Sequence, residues 1–109
     1  MTYPDQVLDA LGDPTRRVVF KRLRSGARSV GEIAEGMDVS RPAVSQHLRV
    51  LKRARLVVAR AEGTRRLYAV DARGVEALRR WLDGFWDETL AAFKAAAERE
   101  NREAGRKSS

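Results

Sequence analysis

The residues of this sequence with most chemistry to offer are cations set at helical spacing. In the run "SRPAVSQHLRVLKRAR", Arg41, Arg49, Lys52 and Arg53 share one segment with Ser45 and Gln46, whose side chains both donate and accept hydrogen bonds. Guanidinium, ammonium and amide groups in that company suit a polyanion whose edges are also to be read. The charge is concentrated as well. From Val39 to Arg73 there are nine arginine and lysine residues against only Glu62 and Asp71, a balance equal to the net charge of +7 of the whole chain. Outside that segment the two signs cancel. A local excess of this kind is the electrostatic footprint of a nucleic-acid binder rather than of a generally basic protein.

Other chemistries find little support. The chain has no cysteine, which removes disulfides and thiolate metal sites, and its one histidine is His47. No phosphate-cradling glycine loop, dinucleotide fingerprint or nucleophile elbow occurs, and Asp83, Asp87 and Glu88 read as the solvated face of a helix. No catalytic residue, metal or cofactor is therefore expected. A lone histidine is more often structural than a ligand, so His47 is expected to pack, hydrogen-bond or meet a phosphate. No apolar run reaches the roughly 18 residues of a membrane span, and the start "MTYPDQVLDA" lacks signal-peptide character, so a soluble cytoplasmic protein is expected.

These residues need a scaffold, and 109 residues suffice for one domain. A short helix over Asp5–Leu11 leads to a second from Pro14 to about Arg24, with Asp13 as its cap. Ser29 and Glu32 have the spacing of a capping box at the head of a third, which "GMD" at Gly36–Asp38 ends. Ser40 caps a fourth helix that tolerates Pro42 in its first turn and buries Val44, Leu48 and Leu51. Pro42, Gln46, Arg49 and Arg53 then point outward, with Ser45 flanking them. Two strand-like runs, "RLVVARA" and "RRLYAV", turn at Gly63 and carry Arg65 and Arg66 near the tip. Asp71 caps a last helix with apolar positions Val75, Leu78, Leu82, Phe85, Trp86, Leu90, Phe93 and Ala97.

The order of these parts resembles the ArsR family of bacterial winged helix-turn-helix repressors. The resemblance rests on "LDALGDPTRRVVFKRL", the S-x-P-x-V-S-x-H-L run, "VLKRARLV" and the G-x-R-R-x-Y wing. It covers nearly the whole chain. The expected fold is mainly α with a small β-hairpin: residues 1–98 form a winged helix-turn-helix with a long C-terminal dimerisation helix. The helix-turn-helix falls at about 29–54, the wing at about 55–70 and the C-terminal helix at about 72–98, with 99–109 a polar, frayed tail. Asp38 departs from the glycine usual in the turn, and aspartate is expected to accept a left-handed backbone there.

The resemblance implies a homodimer on an inverted-repeat operator in double-stranded DNA, acting as a repressor. Candidate DNA-binding residues are Ser40, Arg41, Pro42, Ser45, Gln46, Arg49, Lys52, Arg53, Arg65 and Arg66. Arg41, Ser45, Gln46 and Arg49 are placed to read base edges, and Lys52, Arg53 and Arg55 to bind phosphates. Candidate interface residues are Leu8, Leu11, Leu78, Leu82, Phe85, Trp86 and Phe93. The cysteine positions of the family's metal sensors are Ser29, Gly31 and Ala34 here, none a soft-metal ligand. Trp81, Phe85, Trp86 and Phe93 could instead line a pocket for a small-molecule effector, and at helical spacing the interface reading is preferred. The alternative function is a winged-helix module for protein contact, without sequence-specific DNA binding.

Overall fold

A computed structural model describes residues 3–107. In chain order the elements are α1 (Tyr3–Gly12), α2 (Pro14–Lys21), α3 (Val30–Ala34), α4 (Arg41–Arg53), β1 (Val57–Glu62), β2 (Arg65–Val70) and α5 (Ala72–Lys107). They fall into two compact units, one ending at Leu78 and the other beginning at Arg79.

In the first unit the core gathers around α4. Val44, Leu48 and Leu51 on one face of that helix are fully buried. Val7 and Ala10 of α1, Val19 of α2, Leu23 just beyond it, Ile33 of α3 and Ala54, Leu56 and Val57 after α4 complete the cluster. No charged or polar side chain of the described residues is buried with them. Burial of such aliphatic side chains stabilises by roughly 1.5–3 kcal/mol each, and here it fixes which side of α4 faces outward.

Helix boundaries follow local chemistry. Asp13 accepts from the Arg16 amide at 3.0 Å and starts α2. That helix stops at Lys21 rather than near Arg24, because Leu23 and Arg24 donate to the carbonyls three residues back and tighten the chain into turns. In α3 the capping box is reciprocal: the Glu32 amide donates to Ser29 Oγ, and the Ser29 amide donates to Glu32 Oε1. The left-handed residue of the following turn is Gly36, at φ 76°, so Asp38 is not asked to adopt that conformation.

The end of α4 is less ordinary. The Leu56 amide reaches the Leu51 carbonyl and the Arg55 amide reaches that of Lys52, both at 3.0 Å. This is the bond pattern of a Schellman cap, whose left-handed position usually holds glycine. Here Arg55 holds it, at φ 62°. The Arg55 carbonyl faces Gly74 of α5 so closely that a Cβ there would lie 1.5 Å from it. Only glycine fits.

Strands β1 and β2 pair antiparallel from Val57↔Val70 to Glu62↔Arg65, leaving Gly63 and Thr64 as a two-residue turn. Arg28 exchanges backbone hydrogen bonds with Tyr68 at 2.9 and 2.8 Å, which ties the hairpin to the chain entering α3. At α5, Asp71 Oδ1 accepts from the Arg73 amide at 3.1 Å, the cap read from sequence.

The described residues of the second unit all lie in α5. Its helix continues to Lys107, where the sequence pattern ends it near 98 with a frayed tail beyond. Ala95–Ala97 and the alternating glutamate and arginine residues that follow are good helix formers, and opposite charges four apart, as in Glu98 and Arg102, favour the helix further.

Candidate nucleic-acid interface

The buried stripe of α4 determines what its other faces present. Arg41, Pro42, Gln46, Arg49, Lys52 and Arg53 are exposed, and Ser45 and His47 are half-buried. Ser40 is also exposed, and its hydroxyl is engaged as the helix cap, accepting from the Ala43 amide at 3.2 Å. The helix is therefore held by aliphatic packing on one side and offers amide and guanidinium groups on the other, as the spacing predicts.

Two arginines of this set turn toward neighbours in the same unit. The Arg41 guanidinium lies against Gly31 of α3: a Cβ there would stand 3.2 Å from Cζ and Nη2. It is thereby placed at the α3 side of the helix. Arg65 of the hairpin forms an ion pair with Glu32 of α3. Arg66 sits with its guanidinium carbon 6.0 Å from the Tyr68 ring centre, at the outer reach of a cation–π contact. An open groove of about 940 Å³ runs between the hairpin, α3 and the start of α4, lined by Glu32, Glu35, Arg41, Arg65 and Arg66 among others.

The carboxyl of Glu32 is held below the usual glutamate range. The Ser29 amide is the largest cause and its hydroxyl the next, with smaller contributions from the charges of Arg65 and Arg28. Asp13 is likewise lowered, first by the Arg16 amide, and also by the charge of His47.

Several arginines outside the basic segment serve the scaffold. Arg16 and Arg17 donate to the carbonyls that end α1, at Ala10 (3.1 Å) and Leu11 (2.7 Å). Arg22 donates to the Ile33 carbonyl at 2.9 Å and to that of Glu35, closing the end of α3. Sequence reasoning missed these roles, together with the Glu32–Arg65 pair and the Arg55–Gly74 approach. A separation of 33 residues between Glu32 and Arg65 leaves no local pattern to find. The glycine at 74 inside a helical run was the one legible hint.

The residues expected at an interface between chains divide by unit. In the first, Leu8 is 47% exposed, while Leu11 and Leu78 pack partly against the core. In the second, Leu82 (37%), Phe85 (49%), Trp86 (55%) and Phe93 (72%) are all open. Trp81 stacks on Phe85 with ring centres 5.7 Å apart, and Phe85 meets Trp86 edge-on at 6.0 Å. Exposed to this degree, the four aromatics enclose no pocket within their own helix. Among the described residues no group of three histidine or acidic side chains could hold a metal ion, and no helix is long and apolar enough to cross a membrane.

Comparison with known proteins agrees with this geometry. The helix-turn-helix domain family matches residues 11–60. The HTH-type transcriptional regulator Rv2034 of Mycobacterium tuberculosis is 53% identical over 90 residues, covering 83% of this chain and 84% of that protein. The transcriptional repressor SdpR of Bacillus subtilis is 31% identical over 81 residues, covering 74% and 90%. ArsR-type regulators of known structure superpose on the chain. One is the homodimeric winged helix-turn-helix DNA-binding domain of Mb0332 from Mycobacterium bovis, a possible ArsR-family regulator. It is 34% identical with a TM-score of 0.60, covering 79% of this chain and 82% of that one. This chain belongs to the ArsR family. The hairpin β1–β2 is its wing, and α3 and α4 are its helix-turn-helix.

Proposed function

We propose that this ArsR-family chain is a homodimeric repressor that binds an inverted repeat in double-stranded DNA, with one α4 in the major groove of each half-site. The observation that carries the reading is the division of α4, aliphatic and buried at Val44, Leu48 and Leu51, polar and cationic at Gln46, Arg49, Lys52 and Arg53. Gln46 and Arg49 have the donor and acceptor geometry for adenine and guanine edges. Ser45, half-buried on α4, flanks them for a shorter contact. Lys52 and Arg53, in the last turn of α4, suit phosphates, which give affinity and register without sequence information. Arg41 joins this phosphate group rather than the base readers, because its guanidinium is drawn toward α3. Ser40 and Pro42 shape the helix start that approaches the backbone, and Arg65 and Arg66 serve the wing's contact with DNA. Half-sites are then spaced by about one helical turn, roughly 10 base pairs.

Dimerisation is supported by the exposed stripe Leu82, Phe85, Trp86 and Phe93 of α5, with Leu8 of α1 as the exposed contribution of the first unit. Contiguous aromatic surface of that kind is rare on monomers and common at interfaces. The homodimeric Mb0332 domain supports it too. Repression is supported by the similarity to SdpR, named a transcriptional repressor.

The test is footprinting of the DNA upstream of the chain's own gene, at two salt concentrations and with random duplex as competitor. An inverted repeat protected against competitor, with protection falling steeply as salt rises, is the expected result. Protection that random duplex competes away overturns the operator reading at that locus. Absence of binding to either duplex makes the winged helix a protein-contact module.

A further inference from the structure

We propose that Glu32 is a resident stand-in for a DNA phosphate: in the DNA-free protein it occupies Arg65, and on binding a backbone phosphate in the groove between wing and α3 takes that arginine over. The inference rests on the DNA-binding reading above and names a residue which sets the affinity of that same surface.

Three observations carry it. First, Arg65 is a wing residue whose reach should be toward DNA, yet it is bonded across the groove to α3. Second, the bond uses the same Glu32 oxygen, Oε1, that accepts the Ser29 amide at 3.0 Å. That oxygen already has its structural duty in the capping box. When Arg65 leaves, Glu32 keeps the cap and nothing in the helix-turn-helix is left unsatisfied. Third, the same groove is lined by Arg41 and Arg66 as well as Arg65, against the two carboxylates of Glu32 and Glu35, so the cations are in excess and a phosphate arriving there meets a net positive lining. Both members of the pair are substantially exposed, at 58% and 44%, so the exchange needs no opening of the core. An exposed ion pair is weak. That weakness makes Glu32 a tuner of affinity rather than a block.

The electrostatic consequence is specific to the pair. While Glu32 holds Arg65, the wing presents one cation fewer, which lowers attraction to any duplex irrespective of sequence. Replacing the carboxylate by its amide removes the competitor and keeps the fold, since glutamine serves at this capping position as well as glutamate does.

The experiment is fluorescence anisotropy with a labelled duplex of random sequence, over a salt series, for wild type, Glu32→Gln, Arg65→Ala and the double variant. Melting curves of each confirm the fold. Glu32→Gln is expected to tighten binding by about two- to five-fold, the range of an exposed pair. Arg65→Ala is expected to flatten the slope of log affinity against log salt by about 0.9, one phosphate contact. In the Arg65→Ala background the gain from Glu32→Gln should vanish. An equal gain in both backgrounds overturns the proposal, because Glu32 would then act only by general repulsion. No gain from Glu32→Gln overturns it, and so does an unchanged salt slope for Arg65→Ala, which would mean that the arginine stays on Glu32 in the complex. Wild type that binds no duplex at all removes the DNA-binding reading itself, a result distinguishable from the other three.

Discussion

Helix α4 and the part of α5 beyond Arg79 are both amphipathic, but they complete their apolar faces differently. The apolar face of α4 is short, and its three buried side chains meet Val7, Val19, Ile33 and Leu56 of the same unit. Its outer face is free to be charged. From residue 79 on, α5 carries Trp81, Leu82, Phe85, Trp86, Leu90 and Phe93, each at least 37% exposed, and the second unit has no buried hydrophobic residue among those described. A helix of the first kind needs nothing beyond its own chain. A helix of the second kind exposes apolar surface that another surface must cover. The first can recognise a partner by charge and hydrogen bonding, the second by shape and dehydration.

The largest effect should follow from breaking the self-sufficiency of α4. Leu48→Ala removes a fully buried side chain at the centre of the cluster. Such changes cost about 2–5 kcal/mol, a large part of the roughly 5–15 kcal/mol that holds a small domain together. Thermal melts should show a steep loss, with DNA binding lost in proportion to the unfolded fraction. A melting point close to wild type would mean that the outer face of α4 does not depend on its buried one.

On α5 the same kind of truncation should spare folding and break association. Phe85→Ala combined with Trp86→Ala removes two exposed rings that touch edge-on. Aromatic anchors at interfaces carry about 2 kcal/mol or more each, so sedimentation should show the dimer dissociating at concentrations about a thousand times higher. Helical circular dichroism of the first unit's elements should persist. If association is unchanged, the aromatic stripe is not the interface and the comparison between the helices fails.

A smaller effect separates the roles within α4. Arg49→Ala should cost about 1–3 kcal/mol of operator binding and relax preference at one base pair. Lys52→Ala should weaken operator and random duplex alike. Neither should move the melting point, since both side chains are exposed. Equal losses on the two duplexes for both variants would leave α4 without a base-reading role.

How much of this was visible beforehand depended on range. Caps at Asp13, Ser29, Ser40 and Asp71 were legible because the bonding partner lies two or three residues away. The buried stripe of α4 was legible from its period, and so was the outward set Pro42, Gln46, Arg49 and Arg53. What escaped depended on long-range approach. The Arg41 guanidinium lies against Gly31 of α3, and Arg65 of the wing pairs with Glu32. Arg55 counted as one more cation, while its backbone was the left-handed cap of α4 resting against Gly74. The polarity of the tail after 98 points to fraying, whereas its alanine, glutamate and arginine content favours the helix that forms.

The smallest expected effect lies at the start of α2. Asp13 caps that helix, and the Arg16 amide that it accepts holds its carboxyl below the ordinary aspartate value of 3.8. A group whose folded value is depressed contributes stability that is fully present above the unfolded value and is lost as pH falls through the folded one. The contribution should therefore be constant near neutrality and fade below about pH 3.8. Asp13→Asn keeps a good cap, because asparagine accepts the same amide, but it cannot titrate. Melting temperatures measured from neutral to acid pH should therefore converge: wild type is slightly more stable at neutrality, and the difference shrinks below that value. A constant difference through the acid range would mean that the bond from the Arg16 amide, not the charge on Asp13, is all that the cap contributes.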